Sequence, residues 1–224
     1  MSNTWILIPP SEGKQSGGEG PPIQPSPPVQ EMIARLQGYE GDWGKLLGVK
    51  GKALEEAIAA NQSLLKAPTL PAIERYTGVV YDALDYPTLP ARAQRFADKH
   101  LRIVSGLFGL LKPADPIPNY RLKIDKLDAA RFWRQQGAEA FQKAYVIDLL
   151  PQAHRKAVDY PQGVAVDFLV EKQGKRVSAG HFGKHIKGRF VRWLCQNQVT
   201  DPAAFEDFRE EGFEWNGSAF LKRQ

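Results

Sequence analysis

The apolar runs of this 224-residue chain are short and stop at proline or glycine, which restricts its folds more than any other feature. Trp5–Ile8 (WILI) halts at Pro9-Pro10 and reads as a buried strand opening the fold. Leu101–Pro113 (LRIVSGLFGLLKP) begins as a strand and breaks at Gly106 and Gly109, and Tyr145–Leu150 (YVIDLL) reads as another buried strand. None approaches the roughly 20 apolar residues that span a bilayer.

Helical periodicity fills much of the space between. Val29–Leu36 places Val29, Ile33 and Leu36 on one face, and Ala53–Leu65 does the same with Leu54, Ala57, Ile58 and Leu65. Ala129–Ala144 and His185–Gln198 also read as helices, whereas Gly78–Leu84 is ambiguous. Gly163–Gly180 reads as a hairpin turning near Gln173-Gly174. The prolines of Asp115–Ile124 forbid a central strand, and Ser11–Pro28, rich in Gly, Pro and Ser, reads as a mobile surface loop. With no internal repeat and no clean linker, residues 1–224 predict one compact α+β domain with a mixed sheet and surrounding helices.

A single cysteine, Cys195, excludes an internal disulfide and any cysteine cage for zinc or iron–sulfur clusters. The opening MSNTWILIPP has no basic leader, so a cytoplasmic protein is the expectation. The formal charge of +5 favours polyanions, but only placement gives such a charge meaning.

Basic residues cluster in two stretches. In LLGVKGKALEEAI (Leu46–Ile58), Gly48 and Gly51 expose backbone N–H groups at a helix start, with Lys50 and Lys52 beside them, an arrangement suited to a phosphate. The stretch resembles a helix-hairpin-helix motif over about residues 42–65. Its Gly-Val-Lys-Gly is one residue longer than the usual Gly-hydrophobic-Gly, and the alternative is a plain helix connection with a glycine cap. In GKHIKGRFVRWLCQN (Gly183–Asn197), Ile186, Phe190, Trp193 and Leu194 form an apolar stripe. Lys184, Lys187, Arg189 and Arg192 lie opposite, with Gly188 among them to let a backbone approach. No acid within the segment neutralises them, so either an external phosphate backbone or acids elsewhere in the fold must.

Two further stretches carry side chains suited to catalysis. PPSEGK (Pro9–Lys14) offers Ser11 and Lys14 where a strand ends, although it is not a P-loop. Ser105–Ile124 brings Ser105, Tyr120 and Arg121 into an irregular segment, with Arg121 a planar fork for phosphate or carboxylate. No GxSxG occurs. His181 and His185 are four apart but lack an acidic partner, so neither a metal site nor a cofactor is predicted.

These stretches, in order over almost the whole chain, resemble the YaaA family, which is linked to bacterial peroxide stress. PPSEGK stands where that family has a Ser-Pro-Ala-Lys-like loop, and GVVYDAL matches its Gly-Asp-Val-Tyr-like segment. The Ser-Gly-Leu-aromatic-Gly core and Tyr-Arg-Leu end of SGLFGLLKPADPIPNYRLKI are the most specific part. VIDLL, KGRFVRWL and GFEWNGSAF complete the series. The resemblance implies a basic cleft, non-sequence-specific binding of double-stranded DNA partly through a helix-hairpin-helix element, and a role in limiting damage by free iron. It assigns Gly48, Lys50, Gly51 and Lys52 to the hairpin, and Lys14, Tyr120, Arg121, Lys187 and Arg189 to the cleft. The competing expectation is an enzyme for a small phosphorylated or carboxylated molecule, with Ser11, Lys14, Ser105, Tyr120, Arg121 and Lys187 in one pocket and Lys or Tyr as acid/base.

Overall fold

The structure, a computed structural model, describes residues 3–223. Among these residues the strands form three sheets rather than the one expected from sequence. The first has the order β4-β3-β1-β6-β7, from β1 (Asn3–Ile8), β3 (Leu101–Ser105), β4 (Gly109–Leu111), β6 (Ala144–Asp148) and β7 (Gly163–Ala165). Its strands run parallel except for the edge strand β4. The second, β10-β11-β8-β9, joins β8 (Phe168–Lys172), β9 (Lys175–Ser178), β10 (Glu214–Trp215) and β11 (Phe220–Arg223). A two-stranded pair, β2 (Leu70–Pro71) with β5 (Pro116–Ile117), uses proline only at an edge.

β1 is central, with Ile6, Leu7 and Ile8 fully buried, because helices cover both faces of a parallel sheet and an unbroken apolar run suits such a position. Helices α6 (Ala91–His100) and α7 (Ala129–Phe141) pack on this sheet. The remaining helices are α1 (Pro27–Gln37), α2 (Trp43–Leu47), α3 (Lys52–Gln62), α4 (Ala72–Arg75), α5 (Val79–Leu84), α8 (Gln152–Arg155) and α9 (Gly180–Asn197). The ambiguous Gly78–Leu84 is therefore helical, and the Gly163–Gly180 stretch divides: β8 and β9 form the hairpin at Gln173-Gly174, while β7 extends the first sheet. No helix among the described residues is long and apolar enough to cross a membrane.

α9 begins at Gly180, five residues before its expected start, and buries two faces instead of one. Phe190 packs among Phe168, Phe205, Phe208 and Phe220 on the side of the second sheet. The other face meets α5 at Gly188, where an added Cβ would lie 2.3 Å from the Val80 carbonyl oxygen and 2.7 Å from Ala83 Cβ. The backbone that Gly188 admits is thus the protein's own.

Ser11–Pro28 has almost no regular structure, yet it is pinned rather than loose. The fully buried Arg75 donates to the carbonyls of Gln15, Pro68 and Ile117, and the Gln15 N–H donates to the Arg75 carbonyl. Gly20 pairs with Thr69 further along. α2 and α3 are joined through Gly48 and Gly51, both left-handed (φ 67° and 56°), as glycine permits without a Cβ clash.

Candidate functional site

The carboxyl ends of β1 and β6 open on a crevice. β1 hands the chain toward β3 on one side, and β6 hands it to β7 on the other, so the loops diverge and leave space between them. Ligands of open α/β sheets settle at such a switch point. Here the β1 loop brings Pro9–Lys14 and the β6 loop brings Leu149–Arg155, with the 120–125 segment and the first turns of α9 as further walls. Two adjoining cavities of about 350 and 430 Å³ share Pro10, Ser11, Glu12, Pro151 and His154.

Lys14 is the most unusual group in the crevice. Its Nζ donates to the Ser11 carbonyl at 3.0 Å and lies 4.3 Å from the Tyr120 ring centre and 5.4 Å from that of Tyr76. It forms no ion pair among the described residues. Burial, then the nearby Arg121 charge, pull its pKa down to about 7 against the opposing pull of Glu12. A substantial fraction of neutral amine therefore exists at physiological pH.

Beneath it, the Tyr120 hydroxyl meets Ser105 Oγ at 2.7 Å and the Tyr76 hydroxyl at 2.6 Å. Ser105 Oγ already accepts the Leu107 and Phe108 N–H groups, so its own proton goes to Tyr120. Burial holds the Tyr120 phenol up at about 12. The arrangement makes Ser105 and Tyr120 the floor of the site.

Glu12 bridges Arg121 and Lys123, the latter at 2.8 Å. Burial raises the Glu12 carboxyl, but Lys123 and Arg121 outweigh it and the net shift is downward. The Arg121 backbone is clamped by Asn61, whose Nδ2 donates to its carbonyl at 2.9 Å while Oδ1 accepts its N–H at 2.8 Å. Arg121 Nε donates to the Leu47 carbonyl at 2.9 Å, and a Cβ on Gly48 would lie 3.4 Å from Lys123 Nζ. The two-helix hairpin therefore abuts the cleft's rim.

On the opposite wall, Lys187 Nζ donates to the Leu149 carbonyl, and burial followed by Arg155 lowers it to about 8. Lys184 is exposed and lines the same cavity. Burial, with Lys187, pushes His154 down to about 4, so it is neutral, and its buried Nδ1 has no hydrogen-bond partner among the described residues. The buried Asp148 at the end of β6 accepts from the Leu150 N–H, Arg155 and Tyr160, and this fixes the loop's course.

The crevice thus gathers Ser11, Lys14, Tyr120, Arg121, Lys184 and Lys187 of the residues singled out from sequence. Arg189 instead pairs with Glu210 at 3.3 Å, and Arg192 donates to the Leu84 and Asp85 carbonyls; neither lines these cavities. For those two, acids and carbonyls elsewhere in the fold supply the missing neutralisation. Lys50 and Lys52 are exposed beside the hairpin turn, Lys52 with Glu56 at 3.9 Å. His181 and His185 are exposed on α9, and no group of three or more metal-capable side chains occurs among the described residues.

The profile described as "Peroxide stress protein YaaA" matches residues 4–219 of this chain. The chain belongs to that family. YaaA-family relatives include a UPF0246 protein of Corynebacterium glutamicum strain R, 37% identical over 86% of this chain and 85% of its own. A UPF0246 protein of Streptomyces coelicolor is 35% identical over 97% and 94%, and one of Acaryochloris marina is 30% identical over 83% and 82%. This YaaA-family cleft also contains Lys123 and His154, which the sequence does not single out, and behind its rim lies the buried clamp residue Asn61. His154 carries a usable signal, since it follows a buried strand by a few residues, where sites of α/β sheets form. Asn61 carries none, because its partner is 60 residues away.

Proposed function

We propose that this chain acts in the bacterial peroxide response, in the cytoplasm, by binding double-stranded DNA through its phosphate backbone along the cleft and at the Gly48–Gly51 turn. One observation supports the reading above others. Lys14, Arg121, Lys123, Lys184 and Lys187, from separate segments, line adjoining cavities whose carboxylates are Glu12 and Asp125, and the hairpin turn lies against Lys123. Cations so placed lower the energy of a polyanion passing over them. The Gly48 N–H caps α2 on the Gly44 carbonyl, and Gly51 then opens α3, whose N-terminus suits a phosphate. Binding of this kind reads charge rather than sequence, and shielding DNA from iron-linked oxidation is the physiological role it fits. Titration of a random-sequence duplex at rising salt tests it: affinity falls steeply with log salt, whereas a flat profile overturns the reading.

A second reading rests on Lys14. A partly neutral amine beside a cavity of about 350 Å³ suits a small anionic substrate as well as a strand. Thermal shift with phosphorylated metabolites at fixed ionic strength separates the two readings.

A further inference from the structure

We propose that Lys14 is a nucleophilic amine that captures the aldehyde of a phosphorylated sugar as an imine. The proposal deepens the reading of the cleft as a phosphate site and rests on it for the anion, but not for the amine chemistry.

The geometry sets Lys14 apart from the chain's other lysines. Its amine sits at the junction of two cavities, one bounded by Pro10, Arg121 and His154, the other by Ala57 and Asn119 of the hairpin side. A single backbone carbonyl and two aromatic faces are its partners, so nothing must be displaced but one hydrogen bond. The nearest carboxylate, Glu12, is occupied by Arg121 and Lys123 and does not reach it as an ion pair. Those same cations lie where a phosphate on the captured molecule would be held. The lowered pKa adds to this: a lysine at about 7 has a neutral fraction at pH 7 on the order of a thousandfold above that of an ordinary lysine.

The step needs no further reagent. The Lys14 nitrogen adds to the carbonyl carbon to form a carbinolamine. The former carbonyl oxygen then leaves as water, taking both amine protons overall, and a C=N bond remains. Neither carbon nor nitrogen is oxidised or reduced by an outside agent. The Tyr120 hydroxyl accepts from Ser105 and contacts the Tyr76 hydroxyl. Tyr120 and Ser11, which line the cavity, and solvent water can carry protons. An aldehyde next to phosphate has two sources: a free sugar phosphate in open-chain form, or the ring-opened sugar where a DNA strand has lost its base.

The experiment uses the full chain at pH 7. Pyridoxal 5′-phosphate is the calibrating probe, followed by borohydride reduction and peptide mass mapping. Two further arms replace it with ribose 5-phosphate or with a duplex bearing one abasic position. Lys14 is expected to label at least about tenfold faster than the exposed Lys143, and one of the two sugar arms is expected to be trapped on Lys14. The trapped arm identifies the source. Lys14→Arg keeps a cation and Lys14→Met removes it; both lose the adduct while circular dichroism reports the fold, and Lys143→Gln retains it. Labelling spread evenly over exposed lysines, or trapping of neither sugar on Lys14, overturns the proposal. Because the probe needs no DNA, a failure to bind intact duplex would sink the proposed function without touching this result.

Discussion

Asn61 and Arg121 form a reciprocal pair: the amide side chain of one completes both backbone hydrogen bonds of the other, at 2.8 and 2.9 Å. Asn61 is fully buried near the end of α3, and Arg121 carries its guanidinium to Glu12 at the cleft. The pair couples the two-helix hairpin to the basic rim. Asn61→Leu leaves a buried N–H and a carbonyl without partners, which costs about 2–4 kcal/mol. Chemical denaturation should show that loss, and the Glu12–Arg121 contact should loosen with it.

The Lys14 amine makes a distinctive pH signature. Its folded pKa of about 7 lies below the ordinary 10.5, so between those values the unfolded chain binds more protons and stability rises with pH. Below pH 7 both states are protonated and the burial cost is fully present. Lys14→Met should therefore stabilise the protein by roughly 1–3 kcal/mol at pH 7 and by distinctly less at pH 10. Equal gains at both pH values would contradict the burial of a depressed amine.

Gly188→Ala inverts a familiar rule. In an ordinary helix interior this change stabilises by about 1 kcal/mol. Here the new methyl meets the Val80 carbonyl oxygen, so a loss of roughly 1–3 kcal/mol is expected, with the charge of α9 untouched. A urea midpoint that stayed level or rose would show that α5 gives way.

Removing Arg75 tests the strap. Arg75→Leu deprives three carbonyls of their donor and should cost about 2–4 kcal/mol. Limited proteolysis should then cut within residues 15–21, where the intact protein resists.

Salt dependence separates the basic residues of α9. Lys184→Gln and Lys187→Gln should each reduce the slope of log affinity against log salt by about 1, whereas Arg192→Gln should leave it nearly unchanged. Arg192 is spent on the Leu84 and Asp85 carbonyls. Identical slopes for all three variants would remove the cleft from the binding surface.

Local features were readable without the fold. Trp5–Ile8 had to be a buried strand because an unbroken apolar tetrapeptide before two prolines has few other uses. The Gln173-Gly174 turn also follows from local chemistry, as does the helical period of Val29–Leu36. For α9 the sequence shows one apolar face and a late start, since a wheel cannot reveal that α5 and the second sheet both cover it.

The sequence alone determined that Trp5–Ile8 and Tyr145–Leu150 hold buried strands, that Val29–Leu36 is helical and which stretches are basic, because period, breakers and charge are properties of neighbours in the chain. The tertiary structure alone decided that Lys14 sits against Tyr120, that Lys187 faces the crevice while Arg192 turns to α5, and that Gly188 admits a helix. Such facts depend on distances between residues dozens of positions apart, and burial and dielectric, which set the reactivity of an amine, exist only once those residues are packed.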